Sequence, residues 1–177
     1  LVPVPAAAPL AHAADALWSS AGAKGVEIDV ALDDLPVVVT DPDRVRQVMV
    51  NLIDNAVRWT PAGGRVQVRA TALDDGGVQV EVEDTGPGIP EAMREAVFEP
   101  FRSEMRPDGN RGSGLGLAIA RQLARALGGD LTAREAPGGG ALLVLRLPAT
   151  APAPRDDEGP PPGMDEGPTP TAMGGPR

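Results

Sequence analysis

Apolar and polar positions follow two periods along this chain, and these periods predict a mixture of helices and strands. Apolar residues recur every three or four positions in the predicted helices and every second position in the predicted strands. The helices are predicted at residues 9–21, 42–59, 91–97 and 115–127, and the strands at 26–32, 36–40, 66–73, 78–83, 131–135 and 141–147. The pattern predicts an α/β (α+β) two-layer sandwich, in which helices cover one face of a mixed, mostly antiparallel sheet.

The helix at residues 42–59 carries the strongest local signals. Asp41 can cap free amides at its start, and Pro42 fits the first turn, where a missing N–H costs nothing. The apolar residues expected to face the core are Val45, Val48, Met49, Leu52, Ile53 and Ala56. Turn residues at 74–77 and 137–140 each separate two alternating strands, which predicts two β-hairpins.

Composition limits how the 177 residues are organised. Hydrophobic residues make up 42% of the chain, enough for one domain with a sizeable core, and this domain is predicted to span residues 9–148. Residues 149–177 are dense in Pro, Gly, Asp and Glu. They are predicted to form a disordered tail, because they cannot bury enough apolar surface to offset the entropy of ordering. Residues 1–8 are interpreted as a linker remnant.

Charge and cysteine content argue against several functions. The net charge is −9 and no basic cluster stands out, so nucleic-acid binding is not expected. The absence of cysteine excludes disulfides, thiolate metal sites and cysteine nucleophiles within this chain. No stretch approaches the roughly 20 apolar residues that cross a bilayer, so direct membrane insertion is not expected. A negative domain can still bind ATP, because local amides and a few arginines set the field at the phosphates.

The first candidate motif is Asn51-Leu-Ile-Asp-Asn55-Ala, inside the helix at residues 42–59. Asn51 and Asn55 are four positions apart and therefore project from one face. An asparagine carbonyl oxygen suits Mg²⁺, and its amide group can donate to phosphate or ribose. Arg58, one turn further, adds a fixed positive charge for phosphate oxygens. A helix with two ordinary surface asparagines is the alternative, although two asparagines lower helix propensity.

The second motif, Asp84-Thr-Gly-Pro-Gly-Ile-Pro, follows a predicted strand. A carboxylate at Asp84 can accept a hydrogen bond from the exocyclic amine of adenine and reject guanine, which carries a carbonyl there. Gly86 and Gly88 would let the loop, which continues through Ile89, approach the base closely. Taken alone, this segment is more typical of an ordinary turn between a strand and a helix.

The third motif precedes the last predicted helix, where free amides could face a triphosphate. Its candidate binding residues are Gly112, Ser113, Gly114, Leu115, Gly116 and Leu117. It is not a Rossmann fingerprint, since no strong strand leads into it, nor a Walker loop, since no Gly-Lys-Ser/Thr follows. The polar stretch before it indicates a mobile lid or a plain surface loop, and its candidate phosphate contacts are Arg102, Arg106 and Arg111.

In this order, and about 30 residues apart (roughly one supersecondary unit each), the three motifs describe an ATP site. They resemble the N box and the two glycine boxes of the catalytic, ATP-binding domain of bacterial sensor histidine kinases. That family belongs to the superfamily of gyrase, Hsp90 and MutL. The corresponding residues are 51–61, 84–90 and 112–117, and residues 97–101 resemble the family's phenylalanine box. The resemblance covers nearly all of residues 9–148.

This resemblance implies a Bergerat-type ATP-binding fold, in which ATP lies between helices under a lid. It implies that Asn55 coordinates Mg²⁺ and that Asp84 reads adenine. It also implies that Asn51 and Arg58 act near the phosphates as the catalytic residues. Trp59 would flank the base, at a position where the family usually has tyrosine. ATP and Mg²⁺ are therefore the expected cofactors.

The resemblance also implies partners outside this chain. The family phosphorylates a histidine in a separate helical hairpin rich in Glu, Arg and Pro, whereas the only histidine here, His12, lacks that context. His12 is interpreted as an incidental surface residue. The expected partners are the histidine-containing dimerisation domain of the parent kinase and a response regulator downstream. The domain is expected in the cytoplasm, with its parent anchored in the bacterial inner membrane. Arg111 stands where relatives often have glycine, so the lid is expected to differ in detail.

Two other functions stay open. A conformational ATPase of the gyrase or Hsp90 type would place a glutamate at the position of Asn51, as the general base for water. An amide cannot take a proton, and Asp54 faces a different side of the helix, which counts against this function and against an anti-sigma type of serine kinase. A non-catalytic nucleotide-sensing module is the third hypothesis. The intact Asn55, Asp84 and glycine loops weaken it.

Overall fold

The computed structural model describes residues 1–32, 34–101 and 114–152. Within them, the strands are β1 Val2–Pro5, β2 Glu27–Ala31, β3 Val37–Thr40, β4 Arg65–Ala72, β5 Val78–Asp84, β6 Asp130–Glu135 and β7 Ala141–Leu147. The α-helices are α1 Ala7–Lys24, α2 Pro42–Trp59 and α3 Gly116–Ala126. The predicted helices and strands are confirmed with shifts of a few residues at their ends, except for the segment at residues 91–97.

The main sheet has the strand order β2-β4-β5-β7-β6. β2 and β4 are parallel, whereas the three other neighbouring pairs are antiparallel. The two predicted hairpins, β4–β5 and β6–β7, both form. The prediction of a mixed, mostly antiparallel sheet is therefore confirmed.

The helices pack against one face of this sheet, and α2 lies in the middle. It contacts α1, α3, β4 and β5. The strand residues that face the helices are apolar and buried: Val66, Val68, Val80, Val82, Leu131, Leu143 and Leu145. On the opposite face, the alternate residues of β4 and β5, among them Gln67, Arg69 and Glu81, are at least partly exposed, whereas Val144 of β7 is buried there. This two-layer arrangement confirms the predicted sandwich.

Local interactions at both ends of α2 explain why the helix has these bounds. The Asp41 carboxylate accepts hydrogen bonds from the backbone N–H groups of Asp43 and Arg44, at 3.1 and 3.2 Å, as predicted for a cap. At the other end, the buried Thr60 donates its hydroxyl to the Ala56 carbonyl at 2.8 Å. All the predicted apolar residues of the α2 core stripe are buried. The helix that carries the first motif is thus fixed at both ends.

The N-terminal segment, interpreted as a linker remnant, is paired with the domain in the structure. β1 forms an antiparallel pair with β3, and its side chain Val4 is buried. Two prolines concealed this strand from the sequence pattern, but an edge strand tolerates residues that donate no hydrogen bond. On the other side of β3, Val39 exchanges backbone hydrogen bonds with Ala149 and Ala151, each at 2.8 Å.

The domain boundaries stay a prediction. The first residues beyond Pro148 pair with β3, and residues 153–177 lie outside the part of the chain that the structure describes. None of the helices in the described ranges combines the length and the apolar composition needed to cross a bilayer.

The helix predicted at residues 91–97 is replaced by two 3-10 turns, Glu91–Met93 and Ala96–Phe98. Their backbone hydrogen bonds join residues three apart, as in Phe98 N–H to the Glu95 carbonyl at 3.2 Å. A segment this short gains too little from α-helical hydrogen bonds to offset nucleation, so tertiary contacts decide its conformation. Here the segment turns to bury Phe98 against the core.

Candidate nucleotide-binding site

The C-terminal half of α2 presents the three polar residues of the first motif on one edge of the helix. Asn51 and Asn55 are half-buried beside the core stripe, and Arg58 is exposed. The Arg58 Nε lies 2.7 Å from the Asp54 Oδ2, in an ion pair within one turn of the helix. The expectation that Asp54 faces a different side of the helix is therefore wrong, because residues four apart on a helix are neighbours and Asp54 pairs with Arg58 on this edge.

The end of α2 is also held by a residue that the sequence analysis missed. Lys24, the only lysine of the chain, donates from Nζ to the carbonyls of Val57 and Arg58 at 2.9 and 2.6 Å. An ammonium group at a helix C-terminus satisfies unpaired carbonyls and opposes the negative end of the helix dipole. Lys24 thus ties the end of α1 to the turn that carries Arg58 and Trp59. The one sequence feature that could have drawn attention to Lys24 is that the chain contains no other lysine.

Asp84, at the end of β5, is buried with 3% of its surface exposed. Its Oδ1 accepts hydrogen bonds from the backbone N–H groups of Gly86 and Ala141, at 2.9 and 3.2 Å. Burial raises the pKa of the Asp84 carboxyl, and these two hydrogen bonds oppose that rise in part. The carboxyl group is therefore withdrawn from water and held in one orientation by the backbone.

The glycines of the second motif permit close approach between backbone segments. A Cβ on Gly86 would lie 2.8 Å from the Trp59 carbonyl oxygen and 2.9 Å from the Asp84 Oδ1. Gly88 has a φ of +78°, which glycine adopts readily. The half-buried Ile89 packs against the core and anchors the end of the loop. These contacts bring the half-buried Trp59 to the loop that carries Asp84, although the two lie 25 positions apart in the sequence.

The third motif is only partly described. Gly112 and Ser113, together with the predicted lid arginines Arg102, Arg106 and Arg111, lie outside the described residues. The Gly114 carbonyl accepts a hydrogen bond from Phe101 N–H at 3.0 Å. Gly116 and Leu117 then form the first turn of α3, where the N-cap residue Leu115 supplies no side-chain cap. This turn belongs to a helix that packs directly against α2.

A second group of missed residues fixes the segment between Asp84 and the third motif. The Arg121 guanidinium stacks 4.6 Å from the centre of the Phe98 ring and pairs with Glu95 at 2.7 Å and Asp130 at 3.4 Å. Its hydrogen bond lowers the pKa of the Glu95 carboxyl. Side chains from the 3-10 segment, α3 and β6 thus meet at one partly buried guanidinium. No spacing in the sequence signals this contact.

Residues 40–151 match the profile of the histidine kinase-, DNA gyrase B- and HSP90-like ATPases. The chain belongs to this family. Among curated relatives, the adaptive-response sensory kinase SasA of Nostoc sp. is 40% identical over 126 residues, which cover 71% of this chain and 31% of that protein. The SasA of Thermosynechococcus vestitus is 42% identical over 120 residues. The chain spans about a third of the length of these relatives.

Solved structures show the same similarity. A mycobacterial sensor histidine kinase, MprB, superposes with a TM-score of 0.72 at 31% identity, covering 84% of this chain and 97% of that one. Full-length ShkA in complex with AMPPNP gives 0.73 at 38% identity, covering 84% of this chain and 31% of that one. The family resemblance, the Bergerat-type fold and ATP as the expected nucleotide are therefore confirmed. The roles of individual site residues stay predictions.

Proposed function

We propose that this chain is the ATP-binding catalytic domain of a two-component sensor histidine kinase. It transfers the γ-phosphoryl group of ATP to a histidine on a separate dimerisation domain. The observation that carries this proposal is the junction of Asp84, Gly86 and Trp59 at the end of the helix that bears Asn51 and Asn55. The backbone of Trp59 approaches the loop after Asp84 there, so a buried carboxyl group lies at the end of the helix that carries the two amides. A base and a charged triphosphate require such a combination of groups.

Asp84 is proposed to read the base. Within the described parts of the chain, two backbone N–H groups donate to its Oδ1. The second oxygen, Oδ2, would accept a hydrogen bond from the exocyclic amine of adenine. Guanine would direct a carbonyl oxygen at the same carboxylate, and two acceptors repel each other. Trp59 lies beside this loop and is proposed to flank the base with its ring.

The edge of α2 is proposed to serve the phosphates. The half-buried Asn55 amide oxygen is a hard ligand of the kind that Mg²⁺ prefers, so the residues present fit this ion. Bound Mg²⁺ would neutralise charge on the phosphates. Asn51 and Arg58 would donate to phosphate oxygens from the same edge. Arg58 is half-exposed and would exchange the Asp54 carboxylate for phosphate at little cost, because exposed ion pairs contribute little.

The start of α3 is proposed to bind the β- and γ-phosphates together with the preceding loop. The amides of Gly114, Leu115, Gly116 and Leu117 would act with those of Gly112 and Ser113. Helix N-termini favour anions through their amides and their dipole. Gly114 has a φ of +67°, which glycine adopts without strain.

The phosphoryl acceptor is proposed to lie on the dimerisation domain of a parent kinase, with a response regulator downstream. The only histidine here, His12, is exposed on α1 and contributes to none of the contacts described for the site. Because cellular ATP is the donor, the domain is proposed to act in the cytoplasm. The anchoring of the parent protein in the inner membrane stays a prediction.

A conformational ATPase is the second candidate function, and one observation weighs against it. Such an enzyme needs a carboxylate to take a proton from water, and Asn51 cannot do so. Asp54, the nearest carboxylate on α2, is engaged by Arg58 at 2.7 Å. A nucleotide-sensing module that binds ATP without chemistry is the third candidate, and the experiment below separates all three.

The test is label transfer from γ-labelled Mg-ATP, with this chain alone and with the histidine-bearing hairpin of its parent. We expect acid-labile label on the hairpin, lost in Asn55→Ala and retained in Gln47→Ala, which removes an exposed amide two turns earlier on α2. Release of labelled phosphate without labelling of the hairpin would indicate a conformational ATPase. Tight ATP binding with neither outcome would indicate a sensing module.

A further inference from the structure

The backbone at the start of β7 contacts the Asp84 carboxyl group, in addition to the loop that follows Asp84. Asp84 closes β5, and Ala141 opens β7, the neighbouring strand in the sheet. The Ala141 N–H donates to the Asp84 Oδ1 at 3.2 Å, across 57 positions of sequence. A residue outside all three motifs therefore supplies one of the two donors that orient this carboxyl group.

Gly140, which precedes Ala141, also packs closely against Asp84. Its φ is +91°, and a Cβ at this position would overlap the Asp84 carbonyl oxygen and lie 3.4 Å from Oδ1. From the other side, a Cβ on Gly88 would lie 3.0 Å from the Gly140 carbonyl oxygen. The backbone at Gly140 is itself fixed, because its carbonyl accepts a hydrogen bond from Ala136 N–H at 3.1 Å. Asp84 is thus enclosed by backbone on two sides without room for another side chain.

This enclosure decides which carboxylate oxygen remains for a ligand. Among the residues that the structure describes, both donors to the Asp84 side chain bind Oδ1. A carboxylate held through one oxygen cannot rotate freely about its terminal torsion, so Oδ2 keeps one direction. A fixed acceptor discriminates an amine from a carbonyl better than a rotating one, because it cannot turn away from an unfavourable partner.

We propose that Gly140 and the Ala141 N–H are specificity-determining elements of the nucleotide site, which hold Asp84 so that it selects adenine. The proposal rests on the proposed function, since it assumes that Asp84 reads the base. Gly140 acts through Asp84 and is therefore a positioning residue. A side chain there would displace Asp84 and weaken the discrimination between bases, in addition to weakening binding.

The experiment compares Gly140→Ala with Gly139→Ala in the full chain. Gly139 is an ideal control, because its φ is +80° and a Cβ there would meet nothing within 4 Å. Both variants strain the backbone similarly, but only Gly140→Ala presses on Asp84. Thermal unfolding first establishes the temperature at which each variant is folded. Calorimetry below that temperature then gives the dissociation constants for Mg-ATP and Mg-GTP.

We expect Gly140→Ala to weaken ATP binding about tenfold and to bring the ATP to GTP affinity ratio towards one, as loss of one well-placed hydrogen bond would do. Gly139→Ala should keep the wild-type ratio. A Gly140→Ala protein that is folded and keeps the wild-type ratio would overturn the inference. A wild-type chain that binds no ATP would instead overturn the proposed function, so the two failures are distinguishable.

A second measurement needs no variant and covers the case in which Gly140→Ala does not fold. When adenine engages Oδ2, the charge on Oδ1 falls and the hydrogen bond from Ala141 changes. The amide resonance of Ala141 in ¹⁵N-labelled wild-type chain should therefore shift on saturation with ATP and much less with GTP. An Ala141 resonance that moves equally with both nucleotides, or with neither while ATP binds, would contradict the inference.

Discussion

The two ends of the candidate site are held in different ways. At the Asp84 end (Asp84, Gly86, Ala141), a buried carboxyl group is fixed by one backbone donor from the following loop and one from the start of β7. At the Arg58 end (Asn51, Asn55, Arg58), the groups are half-buried or exposed, and the arginine is paired with a neighbouring carboxylate on the same helix. This difference supports the proposal that the first end selects the base through a rigid acceptor, whereas the second would exchange the Asp54 carboxylate for a phosphate.

The largest effect is expected from Asp84→Asn, a substitution at the Asp84 end of the site. The substitution removes a charged acceptor, so ATP affinity should fall about 10- to 100-fold. Stability should change much less, because a neutral amide avoids the cost of burying a charge. Calorimetry gives the affinity and urea denaturation the stability. Glu83→Gln, one residue earlier and on the other face of the sheet, is the control. Wild-type affinity in Asp84→Asn would contradict the assignment of the base end.

A second prediction concerns pH and the same carboxyl. Burial raises the pKa of Asp84 in the folded chain, so the folded state holds its proton to higher pH than the unfolded state does. The contribution of Asp84 to the free energy of unfolding should be fully present below the unfolded pKa. It should be lost as pH rises through the higher folded pKa.

Urea denaturation of the wild type and Asp84→Asn across this range measures that contribution. The wild type should lose stability relative to the variant as pH increases. A difference that stays constant, or that favours the wild type at higher pH, would show that the carboxyl is not held as the structure describes.

A moderate effect is expected at Lys24, which binds the C-terminal carbonyls of α2 at the Arg58 end of the site. Lys24→Met removes two hydrogen bonds to the C-terminal carbonyls of α2 and should lower the free energy of unfolding by about 1 kcal/mol. The fluorescence of Trp59, read in a Trp18→Phe background, should also change, because the last turn of α2 loosens. Lys24→Arg should restore most of both readouts. An unchanged Trp59 spectrum in Lys24→Met would show that Lys24 does not order this turn.

The smallest effect is expected from Asp54→Asn. The ion pair with Arg58 is half-exposed, so its loss should cost only about 0.3–0.5 kcal/mol of stability. Freed from its carboxylate, Arg58 should bind phosphate slightly better, with ATP affinity rising about twofold, roughly 0.4 kcal/mol. Glu27→Gln, which breaks the exposed pair with Arg65 at 3.3 Å, is the control and should leave ATP affinity unchanged. A large loss of ATP binding in Asp54→Asn would assign this carboxylate a direct role.

The parts of this molecule that could be predicted from sequence are those fixed by local chemistry. Periodicity located α2 and both hairpins, and Asp41 and Pro42 marked the start of α2 because capping is decided within a few residues. Asp84 and its glycines were identified as a candidate site through the order of the three motifs and the family resemblance, because the segment alone is more typical of an ordinary turn. What the sequence could not reveal depends on contacts between elements that are far apart along the chain. Lys24 and Ala141 reach their partners over 34 and 57 positions, and no spacing within the chain encodes such distances.

β3 pairs with β1 on one side and with the residues around Thr150 on the other, and the directions of these two segments affect how the domain would respond to force. β1 runs antiparallel to it with Val2 opposite Thr40, while Thr150 bridges Val39 in the parallel sense. The path into the domain and the path out of it therefore both lie at the Thr40 end of β3, one residue before the capping residue of α2. Tension applied between the two paths would open these ladders one hydrogen bond at a time rather than shear them together.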